Sequence, residues 1–202
     1  MKLTVEQGDA LKELINIGVG RAAGVLSEMV RCNIKLQVPF IKILLPAELK
    51  KEMEELGRYR VAAVRLGFKG PFSGSAALVF PPDSASKLVA VLTGEEFAAA
   101  DLDSVRVGTL SEVGNIVING VMGSISNVLK QSINYSLPNY MEDNVDNLLT
   151  LDKRDPNATV MLARTRFTIE RLYVEGDIIL IFEVGSFDAL LEAINKDYGG
   201  RA

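Results

Sequence analysis

Asp9-Ala-Leu-Lys-Glu13-Leu-Ile-Asn16-Ile-Gly18-Val-Gly20-Arg-Ala-Ala23 is the stretch whose reading decides the fold. At about 100° per residue, Asp9, Glu13, Asn16 and Gly20 fall within about 60° of one another, so they form one polar line along a helix. Leu11, Leu14, Ile15, Ala22, Val25, Leu26 and Met29 recur around that line at helical spacing and are expected to face a core. The helix is predicted from about Thr4, where Gln7 three residues on completes a capping box, to Val30.

Composition narrows the possible chemistry. With 202 residues and 48% hydrophobic content, the chain has enough apolar side chains to bury a sizeable core. Its net charge of −4 and a pI near 5.1 come without a basic run, which argues against nucleic acid or an anionic membrane as partner. There is no histidine, which removes the commonest general base and most zinc sites. The single cysteine, Cys32, excludes an intrachain disulfide and is expected to be a buried strand thiol. No apolar run approaches the roughly 20 residues of a membrane span and the N-terminus has no signal-peptide pattern, so a cytoplasmic location is expected.

Outward from the opening helix, Cys32 to Val38 alternates and stops at Pro39, a strand pattern, and Phe40 to Leu45 continues extended. Pro46 opens a short helix over Ala47 to Leu56 that is expected to be capped at Gly57. Arg60 to Phe68 and Phe72 to Phe80 read as a hairpin, and Pro82 starts a helix through Leu92 that Gly94 ends. A second long helix follows from Val105 to about Lys130, with Asp101 and Asp103 at its favourable end, and then a strand over Ile133 to Leu137 stopped by Pro138. Residues 140–157 read as an acidic, solvated loop without the spacing of a calcium site. Thr159 to Ile169 and Leu172 to Val184 form a second hairpin, and Ser186 to Tyr198 a closing helix.

The second half echoes the first. Glu112, Asn115 and Pro138 each lie 99 residues after Glu13, Asn16 and Pro39, while Gly176, Leu180, Phe182 and Leu190 lie 102 after Gly74, Leu78, Phe80 and Leu88. A constant spacing that shifts once is what duplication with a small insertion leaves. The expected architecture is therefore one α+β domain over residues 1–202, made of two repeats at about 1–98 and 99–202. Antiparallel sheet layers would carry two long helices related by a pseudo-twofold axis.

A Glu and an Asn three apart on an exposed helix face act on one target together. The carboxylate accepts hydrogen bonds, and the carboxamide both donates and accepts, so it can orient a water. Asn is a poor base, which suits a reaction whose water needs positioning more than deprotonation; phosphoryl transfer is the leading case. Taken singly, such a pair is ordinary surface, and its recurrence at one offset is what points to function. Gly18-Val-Gly20-Arg-Ala-Ala23 imitates a dinucleotide fingerprint, but no strand precedes it. Gly18 is better explained by close helix packing and Gly20 by the approach of a partner. The tripeptides beginning at Asn134 and Asn157 fit a glycosylation pattern that a cytoplasmic chain would not use.

Asp9, Glu13, Asn16 and Pro39, with 22 residues between Asn and Pro, closely resemble the motif of the CheC family of chemotaxis phosphatases, and Glu112, Asn115 and Pro138 repeat that count. The resemblance extends over nearly the whole chain. It implies a CheC-like fold and a phosphatase acting on the phosphoaspartate of a CheY-type response regulator. Asn16 and Asn115 would align the attacking water, and Glu13 and Glu112 would pair with a lysine of the regulator. Asp9 and Gly20 would contact the partner. The protein would need no cofactor of its own, because the magnesium belongs to the regulator. The resemblance also implies a monomer, with a dimer through a strand edge as the alternative, and CheD as a further partner. A non-catalytic adaptor for CheD or a flagellar-motor component is the competing reading. Gly108 and Asn119 depart from the pattern where the first copy has Asp9 and Gly20, so the second site is expected to be the weaker.

Overall fold

The computed structural model describes residues 4–53, 60–94, 102–144, 147 and 159–183. Helix α1 spans Val5–Val30 and starts as its capping box dictates. The Gln7 amide donates to Thr4 Oγ1 at 3.2 Å, and Gln7 Oε1 accepts from the Thr4 amide at 3.0 Å. It ends on Arg31 in the left-handed region (φ 51°), with the Cys32 amide donating to the Ser27 carbonyl at 3.3 Å. The Ser27 hydroxyl then donates to the Cys32 carbonyl at 2.7 Å. The second long helix, which we call α4 (Leu102–Leu129), closes the same way 99 residues on. Lys130 has φ 50°, the Gln131 amide donates to the Ser126 carbonyl at 3.0 Å, and the Ser126 hydroxyl donates to the Gln131 carbonyl. A cationic residue at each C-terminal cap suits the negative end of the helix dipole.

The remaining elements are β1 (Lys35–Leu36), β2 (Phe40–Leu44), α2 (Pro46–Glu52), β3 (Val61–Lys69), β4 (Gly74–Phe80), α3 (Pro82–Thr93), β5 (Asn134–Tyr135), β6 (Asn139–Asp143), β7 (Val160–Ile169) and β8 (Val174–Glu183). They form one antiparallel sheet in the order β1-β7-β8-β4-β3-β5, with β2 also on β7 and β6 also on β3. Both expected hairpins are present: Ala62 faces Phe80 in β3–β4, and Ile169 faces Val174 in β7–β8. The short strands after each long helix pair across the halves. Phe40 of β2 faces Arg164 of β7, and Asn139 of β6 faces Arg65 of β3. Each half therefore completes the sheet of the other.

Several boundaries differ from the sequence reading. Cys32 to Val38 reduces to a two-residue strand, because the chain leaves the α1 cap through Cys32 and Asn33 before it can pair. Cys32 is accordingly half-buried in the turn and is not a buried strand thiol. Ile133 to Leu137 likewise pairs only at Asn134 and Tyr135. Residues 140–143, expected in a loop, belong to β6, whose backbone pairing to β3 outweighs their polar side chains. Val25, expected to face the core, is 40% exposed although it lies within about 20° of the buried Leu14 on the helix. The Gly57 cap, the closing helix over Ser186 to Tyr198 and most of the acidic stretch at 140–157 lie outside the described residues.

The strands read as nearly continuous apolar runs because both sheet faces are covered. On one face α1, α3 and α4 bury Leu11, Leu14, Leu110, Val117, Ile118 and Met122 against Phe68, Phe72, Phe80, Phe167 and Phe182. The Phe68 and Phe182 rings meet edge-on at 5.3 Å, and Phe80 and Phe167 at 5.8 Å. On the other face, Leu49 and Met53 pack on Val79, Val160, Leu162, Ile179 and Ile181.

Candidate functional site

Glycines set how closely the two long helices approach each other and the sheet. A Cβ on Gly18 would lie 2.9 Å from the Val121 carbonyl oxygen, and one on Gly120 3.5 Å from Cα of Ala22. At Gly114 it would meet Val64 of β3 at 2.4 Å. These contacts hold the inner faces of α1 and α4, and the polar lines lie about 80° or more round each helix from these glycines.

On α1 the expectation holds in full for exposure: Asp9, Glu13, Asn16 and Gly20 are all solvent-exposed. Asp9 lies 3.5 Å from Lys12 Nζ, a one-turn pair whose side chains are 69% and 49% exposed and which contributes little. Among the described residues, neither Glu13 nor Asn16 has a side-chain partner. A Cβ on Gly20 would meet nothing within 4 Å. The first pair thus stands open on a convex surface, with all its hydrogen-bonding capacity directed outward.

The second pair is arranged differently. Glu112 is exposed, but Asn115 is half-buried, and its Oδ1 accepts a hydrogen bond from Asn119 Nδ2 at 2.8 Å. Gly108 is exposed with nothing within 4 Å of a Cβ. On the far side of the same helix, about 120° or more round from Glu112 and Asn115, Arg106 Nη2 lies 3.2 Å from Glu142 Oε1 of β6 without hydrogen-bond geometry, and the Tyr140 hydroxyl donates to the same carboxylate. Burial, reinforced by the bond to Glu142, pushes the Tyr140 phenol above its ordinary value. The positions 99 earlier are Gln7, Ile41 and Ile43, so this polar cluster has no counterpart in the first half.

Two features escaped the sequence reading. The Asn115–Asn119 bond was visible only as two carboxamides four apart on one helix face. The other is Asp177, 3% exposed within the apolar run of β8, which accepts from Arg164 Nε at 2.7 Å and Arg166 Nε at 3.4 Å. A lone Asp in such a run, opposite two arginines at alternate positions of the partner strand, was its available signal. This cluster lies on the sheet face away from α1 and α4, with Ile179 and Ile181, and so is separate from both polar lines.

The architecture defines an α+β protein whose long helices carry an exposed Glu13–Asn16 pair on α1 and an exposed Glu112 beside a half-buried Asn115 on α4. No family model matches it. In sequence it is 30% identical to the CheY-P phosphatase CheC of Bacillus subtilis over 138 residues, 66% of this chain and 65% of that protein, a little under two thirds of the relative's length. In structure it is similar to FliY of Thermotoga maritima, with a TM-score of 0.77 and 21% identity over 98% of this chain and 100% of that one. It is also similar to FliM in the FliG–FliM complex of H. pylori, with a TM-score of 0.67 and 14% identity over 94% of this chain and 100% of that one. The sequence match makes the chain a relative of CheC, and the structural matches show that it has the fold of FliY and FliM.

Proposed function

We propose that the protein is a phosphatase for the phosphoaspartate of a CheY-type response regulator. The observation that carries this reading is the Glu13–Asn16 pair, exposed, unpartnered and bordered by an open glycine on α1. The name of the B. subtilis relative, a CheY-P phosphatase, supports it.

In this reading α1 lies across the regulator's phosphorylation site. Glu13 accepts hydrogen bonds from a regulator lysine, and Asn16 Oδ1 accepts one from a water, turning the water's lone pair toward phosphorus. The water oxygen bonds to phosphorus while the bond from phosphorus to the aspartyl oxygen breaks. Inorganic phosphate and a free carboxylate result, and the water's protons pass to phosphate and solvent. The transition state is loose, so aligning the water contributes more than removing its proton, and a carboxamide is adequate for that. Magnesium, in this reading, is held by the regulator. Glu112 and Asn115 do the same on α4, and Asp9 adds a contact at the edge of the first surface.

The experiment is the decay of a chemically phosphorylated regulator, with magnesium, in the presence of wild type or the Asn16→Ala/Asn115→Ala double variant. Acceleration by wild type that the double variant lacks supports the reading. Equal decay with and without wild type overturns it. A binding role is the second reading, because FliM, which has this fold, was solved in complex with FliG. The partner would then be CheD or a flagellar-motor component, and binding without accelerated decay would favour it. A monomer is the expected state under either reading.

A further inference from the structure

The second Glu–Asn pair is closed in a way the first is not. A carboxamide offers one oxygen with two lone pairs and one NH2 with two donors. Asn115 commits one of those lone pairs to Asn119, whose Nδ2 lies 2.8 Å away and one turn toward the C-terminus. Because the donor stands one turn along the same helix, the bond holds Oδ1 toward the neighbouring turn, whereas water alignment needs it free for a water outside the helix. At the corresponding place on α1, Gly20 has no side chain and Asn16 has no such donor.

We propose that Asn119 is a latch on Asn115, a positioning residue that holds the second pair in a resting orientation and makes it the slower of the two. This rests on the phosphatase reading above. The regulator docks through Glu112 with the latch still made, and Asn115 turns to the water only as the transition state forms. The latch therefore lowers kcat and leaves KM nearly unchanged. One neutral hydrogen bond carries a factor of about threefold to tenfold.

The test uses the Asn16→Ala background, in which only the second pair can act. Asn119→Ala removes the donor and adds a better helix former, and Asn119→Leu removes the donor while keeping the bulk. Both are expected to raise kcat about threefold to tenfold with KM unchanged. Conversely, in the Asn115→Ala background, kcat of Gly20→Asn is expected to fall below that of Gly20→Ala by a similar factor. A gain with Ala but not Leu, read in KM, would show that Asn119 merely crowds the docking face and would overturn the latch. A loss of kcat in both variants would show that Asn119 orients Asn115 productively and would overturn it too. So would unchanged kcat in a background that still accelerates decay. If wild type itself gives no acceleration, the phosphatase reading fails and the latch fails with it.

Discussion

Gly20→Ala separates what the helix gains from what the partner loses. Gly20 is exposed in the middle of α1, and a Cβ there would meet no atom within 4 Å. Nothing in the fold opposes a methyl group, so the substitution should contribute the ordinary helix-propensity difference, up to about 1 kcal/mol. For a chain of this length that is a rise in Tm of about 2–4 °C, read by circular dichroism. Gly8→Ala is the control. It also has open space, but it sits about 80° outside the polar line, and it should give a similar rise. The two variants should part in activity. If the regulator's surface approaches α1 closely at position 20, a methyl group there acts as overpacking, on the order of 1–3 kcal/mol and at least about fivefold in kcat/KM. Measured in the Asn115→Ala background, Gly20→Ala should be more stable and slower, and Gly8→Ala more stable and unimpaired. A Gly20→Ala variant with raised Tm and full activity would refute the reading of Gly20 as the point of approach. A lowered Tm would refute the open geometry itself.

Three further outcomes follow from the packing. Gly18→Ala should destabilise the protein by about 1–3 kcal/mol in urea unfolding despite its helix propensity, because the new methyl group would crowd the Val121 carbonyl at 2.9 Å. Asp177→Ala should cost about 3–5 kcal/mol in the same measurement, since it leaves the half-buried Arg164 and Arg166 without their shared carboxylate, while decay of the phosphorylated regulator is unchanged. The folded-state pKa of Tyr140 lies above its unfolded value, so its contribution is fully present below about pH 10 and is lost as pH rises through the folded value. Wild type should therefore lose stability above about pH 10 by an increment that Tyr140→Phe lacks, as alkaline melts would show.

The sequence made the helices legible because their signals are local. A capping box at Thr4 and Gln7, one uninterrupted apolar arc and Gly94 at a helix end each name a boundary within a few residues of chain. Exposure of Glu13 and Asn16 followed from the same periodicity. The short strands were harder. Lys35–Leu36 and Asn139–Asp143 exist because β7 and β3 of the opposite half supply their hydrogen-bond partners, more than 70 residues away in sequence. No local pattern carries that information, and the polar side chains of β6 argue for a loop. The inequivalence of the two pairs was half legible: Gly108 and Asn119 stood out as departures, but the bond that closes Asn115 depends on which rotamers α4 leaves free. Asp177 was missed because a charge in an apolar run is interpretable only once Arg164 and Arg166 are seen beside it.

The most direct measurement is steady-state turnover of phosphorylated regulator in large excess, in the Asn115→Ala background, comparing Glu13→Ala with Asn16→Ala. The account predicts many turnovers per protein molecule before either change. Asn16→Ala should then lower kcat at least about a hundredfold with KM little changed, and Glu13→Ala should act mainly by raising KM. Unchanged kcat in Asn16→Ala would contradict the claim that its carboxamide aligns the attacking water.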